Sequence, residues 1–413
     1  MSKTAIISVG NELLNGRTTN TNAVWLCEQL RKLGIDVCGI WVIPDEPEEI
    51  AAALEQVCRF ARIVIITGGL GPTDDDLTRD GLSRFLGVEL QFRPELLERI
   101  ETFFASRNIT MPAINRSQAY LPEGACAMDN EVGTAPGIET LKEKNIIFCL
   151  PGVPSEMKRM FLRSVQPKLA QFKGTEAIVS GSLRCFGAGE SRIAEMLGDR
   201  MKRGRNPLVN CTVHYGDIRL EIVVRAEAAE KGLMMVQEEK AQLEGILGDL
   251  VYGRDEQTMA EVVGGLLRSQ KMTLAAAESC TGGLLAKMIT DVPGASNYFL
   301  AGWVTYGNQA KIELLDVPKE LIEENGAVSA PVAQAMAEGA CRKTGADASL
   351  AITGIAGPGG GTGEKPVGLV YIASSVRGKR KVQQYRFPPT GRDTVRQWAA
   401  MSALNLLRIQ LKV

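Results

Sequence analysis

Apolar positions along this chain follow two periods that take turns. Thr4-Ala-Ile-Ile-Ser-Val-Gly10, Arg62-Ile-Val-Ile-Ile-Thr67 and Asn145-Ile-Ile-Phe-Cys-Leu150 are short apolar runs, and each predicts a strand buried on both faces. Between them, Asn20–Leu33 sets Val24, Leu26, Cys27, Leu30 and Leu33 on one helical face. Val37–Ile43 predicts a further strand, and Pro47–Phe60 a helix opened by proline and acidic residues. The texture changes near residue 175. Ser180–Phe186 predicts a strand, Ser191–Met201 a helix, Val209–Arg225 a hairpin turning at Tyr215-Gly216-Asp217, and 231–247 a helix. Alternation then resumes, with helices over Met259–Gln270, Thr281–Thr290 and Arg392–Leu411 and strands over Met272–Ala277, Ser349–Thr353 and Gly368–Ser375. This order predicts two α/β domains with mainly parallel sheets, 1–172 and 253–413, flanking a small α+β module at 173–252.

Composition narrows the chemistry. The 413 residues suit two or three domains. Lys plus Arg is 47 against 48 Asp plus Glu, a net charge of −1, which excludes nucleic-acid binding by bulk charge. His214 is the single histidine, so a His-rich metal site is excluded and a Ser-His-Asp triad would have to use it. The nine cysteines form no C-x-x-C pair and suit small core residues in a reducing compartment. No apolar run reaches membrane-spanning length, and the N-terminus enters a strand rather than a signal segment. A cytoplasmic, soluble protein without membrane contact is the expectation.

Two glycine-rich strand ends carry candidate chemistry. Gly68-Gly-Leu-Gly71-Pro-Thr73-Asp-Asp75-Asp76-Leu-Thr78 follows a buried strand, where glycines let main-chain N–H groups approach a ligand. Three adjacent aspartates suit a phosphate bridged by a divalent cation such as Mg²⁺; an acidic helix start would look the same by spacing. Near the other end, Ala275-Ala-Ala-Glu-Ser279-Cys280-Thr281-Gly282-Gly283 runs from a strand of small residues into a helix. Ser279 there is either a nucleophile beside oxyanion-binding amides or an N-cap. Val304-Thr-Tyr306-Gly-Asn308-Gln-Ala-Lys311 gathers Tyr, Asn and Lys, and a lysine can serve as base where histidine is missing. Thr353-Gly354-Ile-Ala-Gly357-Pro-Gly359-Gly360-Gly361 offers open amides, although Lys365 precedes Pro366 and the loop is no Walker A sequence. Cys280 is the rival nucleophile.

Gly68–Thr78 resembles the GGxGPTxDDxT signature of the molybdopterin-binding fold, and Gly10-Asn-Glu-Leu-Leu14, Asn20-Thr-Asn22 and Pro151-Gly-Val-Pro-Ser-Glu156-Met157 resemble its CinA version. The AESCTGG, VTYxNxxK and TGIAGPxGG…KPVG segments resemble the CinA C-terminal domain, and the middle module its KH-like domain. The resemblance covers nearly the whole chain. It implies an amidase converting nicotinamide mononucleotide and water to nicotinate mononucleotide and ammonia, with no metal. Ser279 would be the nucleophile, Lys311 the base and Tyr306 a proton relay, with oxyanion donors at the start of the 281–290 helix. Thr281, Gly282, Gly283, Asn308, Thr353, Gly354, Gly357, Gly359, Gly360 and Arg392 would bind substrate. In the first domain the resemblance implies a divalent-metal ADP-ribose pyrophosphatase, with Gly68, Gly69, Gly71, Thr73, Asn20, Asn22 and Glu156 on the nucleotide and Asp45, Asp75 and Asp76 on the metal. Asn11 stands where an acid is often expected. The KH-like module lacks a basic G-x-x-G loop, since Gly245-Ile-Leu-Gly248 lies at a helix end, so no nucleic acid is expected as partner. Small-molecule nucleotides and a second copy of the chain are.

Overall fold

The computed structural model describes residues 3–169, 172 and 177–412. They form two compact units: one runs to Val179 and takes in Arg225–Gly232, and the other holds Ser180–Val224 and Leu233 onward.

In the first unit the strands are β1 (Thr4–Val9), β2 (Val37–Ile43), β3 (Ile63–Thr67), β4 (Leu90–Phe92), β5 (Tyr120–Pro122), β6 (Cys126–Met128), β7 (Gly137–Lys142) and β8 (Asn145–Leu150). A six-stranded sheet runs in the order β2-β1-β3-β8-β7-β6, and β4 and β5 pair separately. β2, β1, β3 and β8 are parallel, whereas β7 and β6 turn the far edge antiparallel. Every residue of β1 and β3 is buried, because helices cover both faces. The edge strand β2 instead alternates. Asn20 caps the helix Thr21–Lys32 by accepting the Ala23 N–H, and Pro47 with Glu48 and Glu49 opens the helix Pro47–Cys58.

Two further sheets follow along the chain. One comprises β9 (Ala177–Cys185), β10 (Leu208–His214), β11 (Asp217–Ala226) and β12 (Val251–Arg254) in the order β10-β11-β9-β12. The predicted hairpin closes through Tyr215 and Gly216, both at positive φ. Gly245 and Gly248 sit in the last turn of the helix Ala229–Leu247 and the 3₁₀ turn after it, not in a loop between two helices. The other sheet comprises β13 (Leu274–Glu278), β14 (Phe299–Val304), β15 (Ala348–Gly354), β16 (Leu369–Val376) and β17 (Lys379–Arg386), ordered β14-β13-β15-β16-β17. β14, β13 and β15 are parallel, and β16 and β17 antiparallel.

The expectation of mainly parallel α/β sheets holds for both sheet centres. In each, one strand has parallel neighbours reached by crossovers in opposite directions: β1 between β2 and β3, β13 between β14 and β15. Such a reversal opens a crevice at the strands' carboxyl ends, where α/β sheets take ligands. No described helix is long and apolar enough to cross a membrane.

Candidate functional site

The crevice beyond β13 holds Ser279. Its N–H donates to the Ile352 carbonyl at 3.0 Å, and the Thr305 N–H donates to the Glu278 carbonyl at 2.7 Å, so the ends of three strands are pinned together. Lys311 enters from the helix Asn308–Leu315 and is 1% exposed. Its Nζ lies 3.3 Å from Ser279 Oγ, 2.8 Å from the Thr305 carbonyl and 3.4 Å from the Tyr306 carbonyl. All three partners are neutral, and burial pushes the lysine pKa below its ordinary value. Nζ stands as donor to the two carbonyls and to Ser279 Oγ, and once deprotonated the amine could keep the two carbonyls and turn its lone pair to the Ser279 hydroxyl. That is the arrangement a base needs. Cys280 is 6% exposed, and burial pushes its thiol up to about 12, so it stays protonated and is a poor nucleophile.

The structure corrects several roles expected here. The helix starts at Leu284, because Gly282 and Gly283 take left-handed φ of 58° and 91°. Its opening amides are occupied: the Glu278 carboxylate, 1% exposed, accepts from Gly283 and Leu285 at 3.0 Å and Ala286 at 2.8 Å. The amides of Gly283, Leu285 and Ala286 are therefore taken up by Glu278. Tyr306 holds Lys311 through its carbonyl, while its exposed hydroxyl receives a hydrogen bond from Arg392 Nη2 at 2.7 Å, not from Lys311 or Ser279. Arg392 Nη1 donates to the Gly357 carbonyl at 2.7 Å, so Arg392 ties the glycine loop to Tyr306 and keeps further N–H groups for an anion. Thr353 is buried and donates to the Ala327 carbonyl, and the buried Thr281 Oγ1 has no hydrogen-bond partner. Asn308 is exposed at its helix start, Gly354 ends β15, and Gly359 and Gly360 are exposed in the loop beyond it. Sequence reasoning missed Glu278 and Arg396, whose guanidinium donates twice to the Thr281 carbonyl. A glutamate closing an alanine strand was the available signal for the first.

The crevice beyond β1 and β3 is a cavity of about 690 Å³. Gly68, Gly69, Gly71, Asn20, Asn22, Asp45, Asp75, Asp76 and Glu156 line it. Gly68 must be glycine, since a Cβ there would stand 2.2 Å from the Val9 carbonyl. Asn22 donates to Thr67 Oγ1 at 3.1 Å and the Gly152 carbonyl at 2.7 Å, bracing two strand ends. Glu156 accepts from Asn130 at 2.6 Å. Thr73 does not line the cavity; its hydroxyl and N–H both donate to Asp76, at 2.6 and 2.9 Å. Asp76 also accepts the Gly71 N–H at 2.7 Å, and the buried Arg79 donates to the Leu70 and Gly71 carbonyls. Asp76 is thus the latch of the glycine loop. Among the described residues no three acidic, histidine or cysteine side chains converge as a ready metal cage, which corrects the expected trio of Asp45, Asp75 and Asp76. Asp45 accepts the Asn11 N–H at 2.8 Å. Burial raises its pKa, and the charges of Glu12, Asp75 and Asp76 add to the rise. Asp45 and Asp75 still fit a hard cation that arrives on a diphosphate, because Mg²⁺ commonly takes only one or two protein carboxylates beside phosphate oxygens.

Family models match in three consecutive stretches: "Probable molybdopterin binding domain" over 5–171, "Damage-inducible protein CinA KH domain" over 180–253, and "CinA C-terminal domain" over 256–411. A CinA-like protein of Thermosynechococcus vestitus is 44% identical over 412 residues, 99% of each chain. Another from Dictyoglomus thermophilum is 41% identical over 403 residues, 98% of each. The solved competence/damage inducible protein of Agrobacterium tumefaciens is 40% identical, covering 38% of this chain and 94% of its own, with a TM-score of 0.37. Two relatives above 40% identity that align from end to end place the chain without ambiguity: it belongs to the CinA family.

Proposed function

We propose that the Ser279–Lys311 site is an amidohydrolase that converts nicotinamide mononucleotide and water to nicotinate mononucleotide and ammonia. The observation that carries this reading is the buried Lys311 amine 3.3 Å from Ser279 Oγ with only neutral partners. Lys311 takes the Ser279 proton as Oγ attacks the carboxamide carbon. The lysine then returns that proton to the leaving nitrogen, which departs as ammonia. Water, deprotonated by the same amine, cleaves the acyl-serine ester and releases the nicotinate product. The spare N–H groups of Arg392 and the exposed Gly359–Gly360 amides suit the 5′-phosphate. Purified full-length protein should release ammonia from nicotinamide mononucleotide, and Ser279→Ala should abolish that release. An ammonia signal equal with and without the nucleotide would favour a molybdopterin-binding or accessory role instead.

A second reading concerns the acid-lined cavity, to which we assign ADP-ribose pyrophosphatase activity. Of its lining residues only Arg17 is basic against Glu12, Asp45, Asp75, Asp76 and Glu156, so a diphosphate needs a cation there. Asp45 and Asp75 would hold a divalent ion, which supplies charge neutralisation of the phosphates. Asn20, Asn22 and the Gly68–Gly71 loop shape the floor, and Asp76 keeps that loop in place. Cleavage of ADP-ribose to AMP and ribose 5-phosphate, followed by phosphate chromatography, tests it.

A further inference from the structure

Residues 10–19, between β1 and the helix Thr21–Lys32, form one wall of the acid-lined cavity. The main chain of this wall is fastened. The Asn11 N–H donates to Asp45 at 2.8 Å, and the Asn15 N–H to the Asn11 carbonyl at 3.0 Å. Gly16, at a φ of 67°, then turns the chain back, and the Arg17 and Thr18 N–H groups both donate to the Glu12 carbonyl, at 3.0 and 3.2 Å. The Arg17 side chain is the opposite case. It is exposed, and its guanidinium makes no hydrogen bond or ion pair among the described residues, although Glu12, Asp45, Asp75, Asp76 and Glu156 line the same cavity. Asp45 and Asp76 accept from main-chain N–H groups instead, and Glu156 accepts from Asn130. The cavity's one basic residue is thus anchored by its backbone while its fork of N–H donors stays unspent.

We propose that Arg17 is a catalytic residue of this cavity, which grips the diphosphate and takes up the charge that builds on the phosphate that leaves. This rests on the pyrophosphatase reading above. A diphosphate brings two anionic groups among side chains whose other charges are all negative. Asp45 and Asp75 serve the side that carries the divalent ion, and Arg17 is the chain's own counter-charge for the other. In the reaction water adds its hydroxyl to one phosphorus and gives up a proton to solvent. The bond from that phosphorus to the bridging oxygen breaks, and its electron pair stays on the departing phosphate. A planar guanidinium meets two phosphate oxygens at once, so it suits that growing charge better than an ammonium does. An interaction that strengthens only as the bond breaks raises kcat more than affinity.

The test compares Arg17→Ala with wild type in the full chain, using ADP-ribose and Mg²⁺ and chromatography of AMP and ribose 5-phosphate. Melting temperatures should coincide, because the side chain is exposed. The substitution should lower kcat on the order of 10²-fold. Arg17→Lys should recover only part of that loss. Added guanidinium ion should restore part of the Arg17→Ala rate in a saturable way and leave wild type unchanged, a response that a loosened wall would not give. A second readout needs no turnover: calorimetric titration with ADP-ribose in which a methylene replaces the bridging oxygen. Its affinity should fall less than ~10-fold in Arg17→Ala. A loss of affinity as large as the loss in kcat would overturn the role in the bond-breaking step. Cleavage by Arg17→Ala within ~3-fold of wild type would overturn the assignment and leave the pyrophosphatase reading intact. A wild-type chain that leaves ADP-ribose whole overturns that reading, and the role of Arg17 with it.

Discussion

Lys311 is the group on which the amidase reading turns, and Lys311→Met tests it. Methionine keeps most of the apolar stem, so packing around the 1%-exposed side chain is largely retained. What is lost is the base 3.3 Å from Ser279 Oγ. General base catalysis contributes about 10²–10⁴-fold, or roughly 3–5.5 kcal/mol at the transition state. The variant also strips the buried Thr305 carbonyl of its donor, at about 1–3 kcal/mol for an acceptor left buried. Part of that cost is offset because a desolvated amine is no longer held in the core. In wild type, Lys311 must be neutral to act, so ammonia release should rise with pH and level off above the lysine's folded pKa. Burial sets that pKa below the ordinary lysine value. The sign for stability follows: the unfolded chain binds more protons between the folded and unfolded pKa values, so this group's contribution grows as pH rises through that window. Initial rates of ammonia release from nicotinamide mononucleotide, followed from pH 6 to 10 beside thermal melts, read both effects. A Lys311→Met enzyme that melts cooperatively and keeps activity within tenfold of wild type would refute lysine as the base.

Cys280→Ala should keep amidase activity within ~3-fold, since a thiol pushed up to about 12 supplies almost no thiolate at neutral pH; near-total loss, measured by ammonia release, would restore the cysteine as nucleophile. Tyr306→Phe should cost less than ~10-fold in kcat, because the tyrosine holds Lys311 by its carbonyl and its hydroxyl meets Arg392. Asp76→Ala should unlatch the 69–76 loop at a cost of roughly 1–3 kcal/mol, and abolish ADP-ribose cleavage while leaving deamidation unchanged, as seen by running both assays on one preparation. A chelator should show the same selectivity; loss of both activities would contradict a metal-free Ser-Lys site.

By itself the sequence determined much of the frame. The buried strands β1, β3, β13 and β15 are apolar runs, and a run of that kind has no other stable home than a sheet covered on both faces. Glycines at their ends marked where ligands can approach, residue types made a serine-lysine chemistry conceivable, and the resemblance to the CinA C-terminal domain singled out Ser279 and Lys311. β17 escaped notice, because Lys379-Arg-Lys-Val-Gln-Gln-Tyr-Arg386 is an edge strand whose polar side chains hide the period. Only the tertiary structure decided what the polar groups do. Lys311 and Ser279 are 32 residues apart, and their contact and the lysine's depressed pKa exist only once β13 and β14 lie side by side. Asp76 was read as a metal ligand from its neighbours in sequence, yet its oxygens go to Gly71 and Thr73 after the loop closes. Glu278 had no role in the sequence reading, and in the folded chain its buried carboxylate accepts from three amides. Periodicity reports which side chains avoid water. The partner a buried polar group finds depends on which strand ends the topology gathers, and short-range pattern carries no record of that.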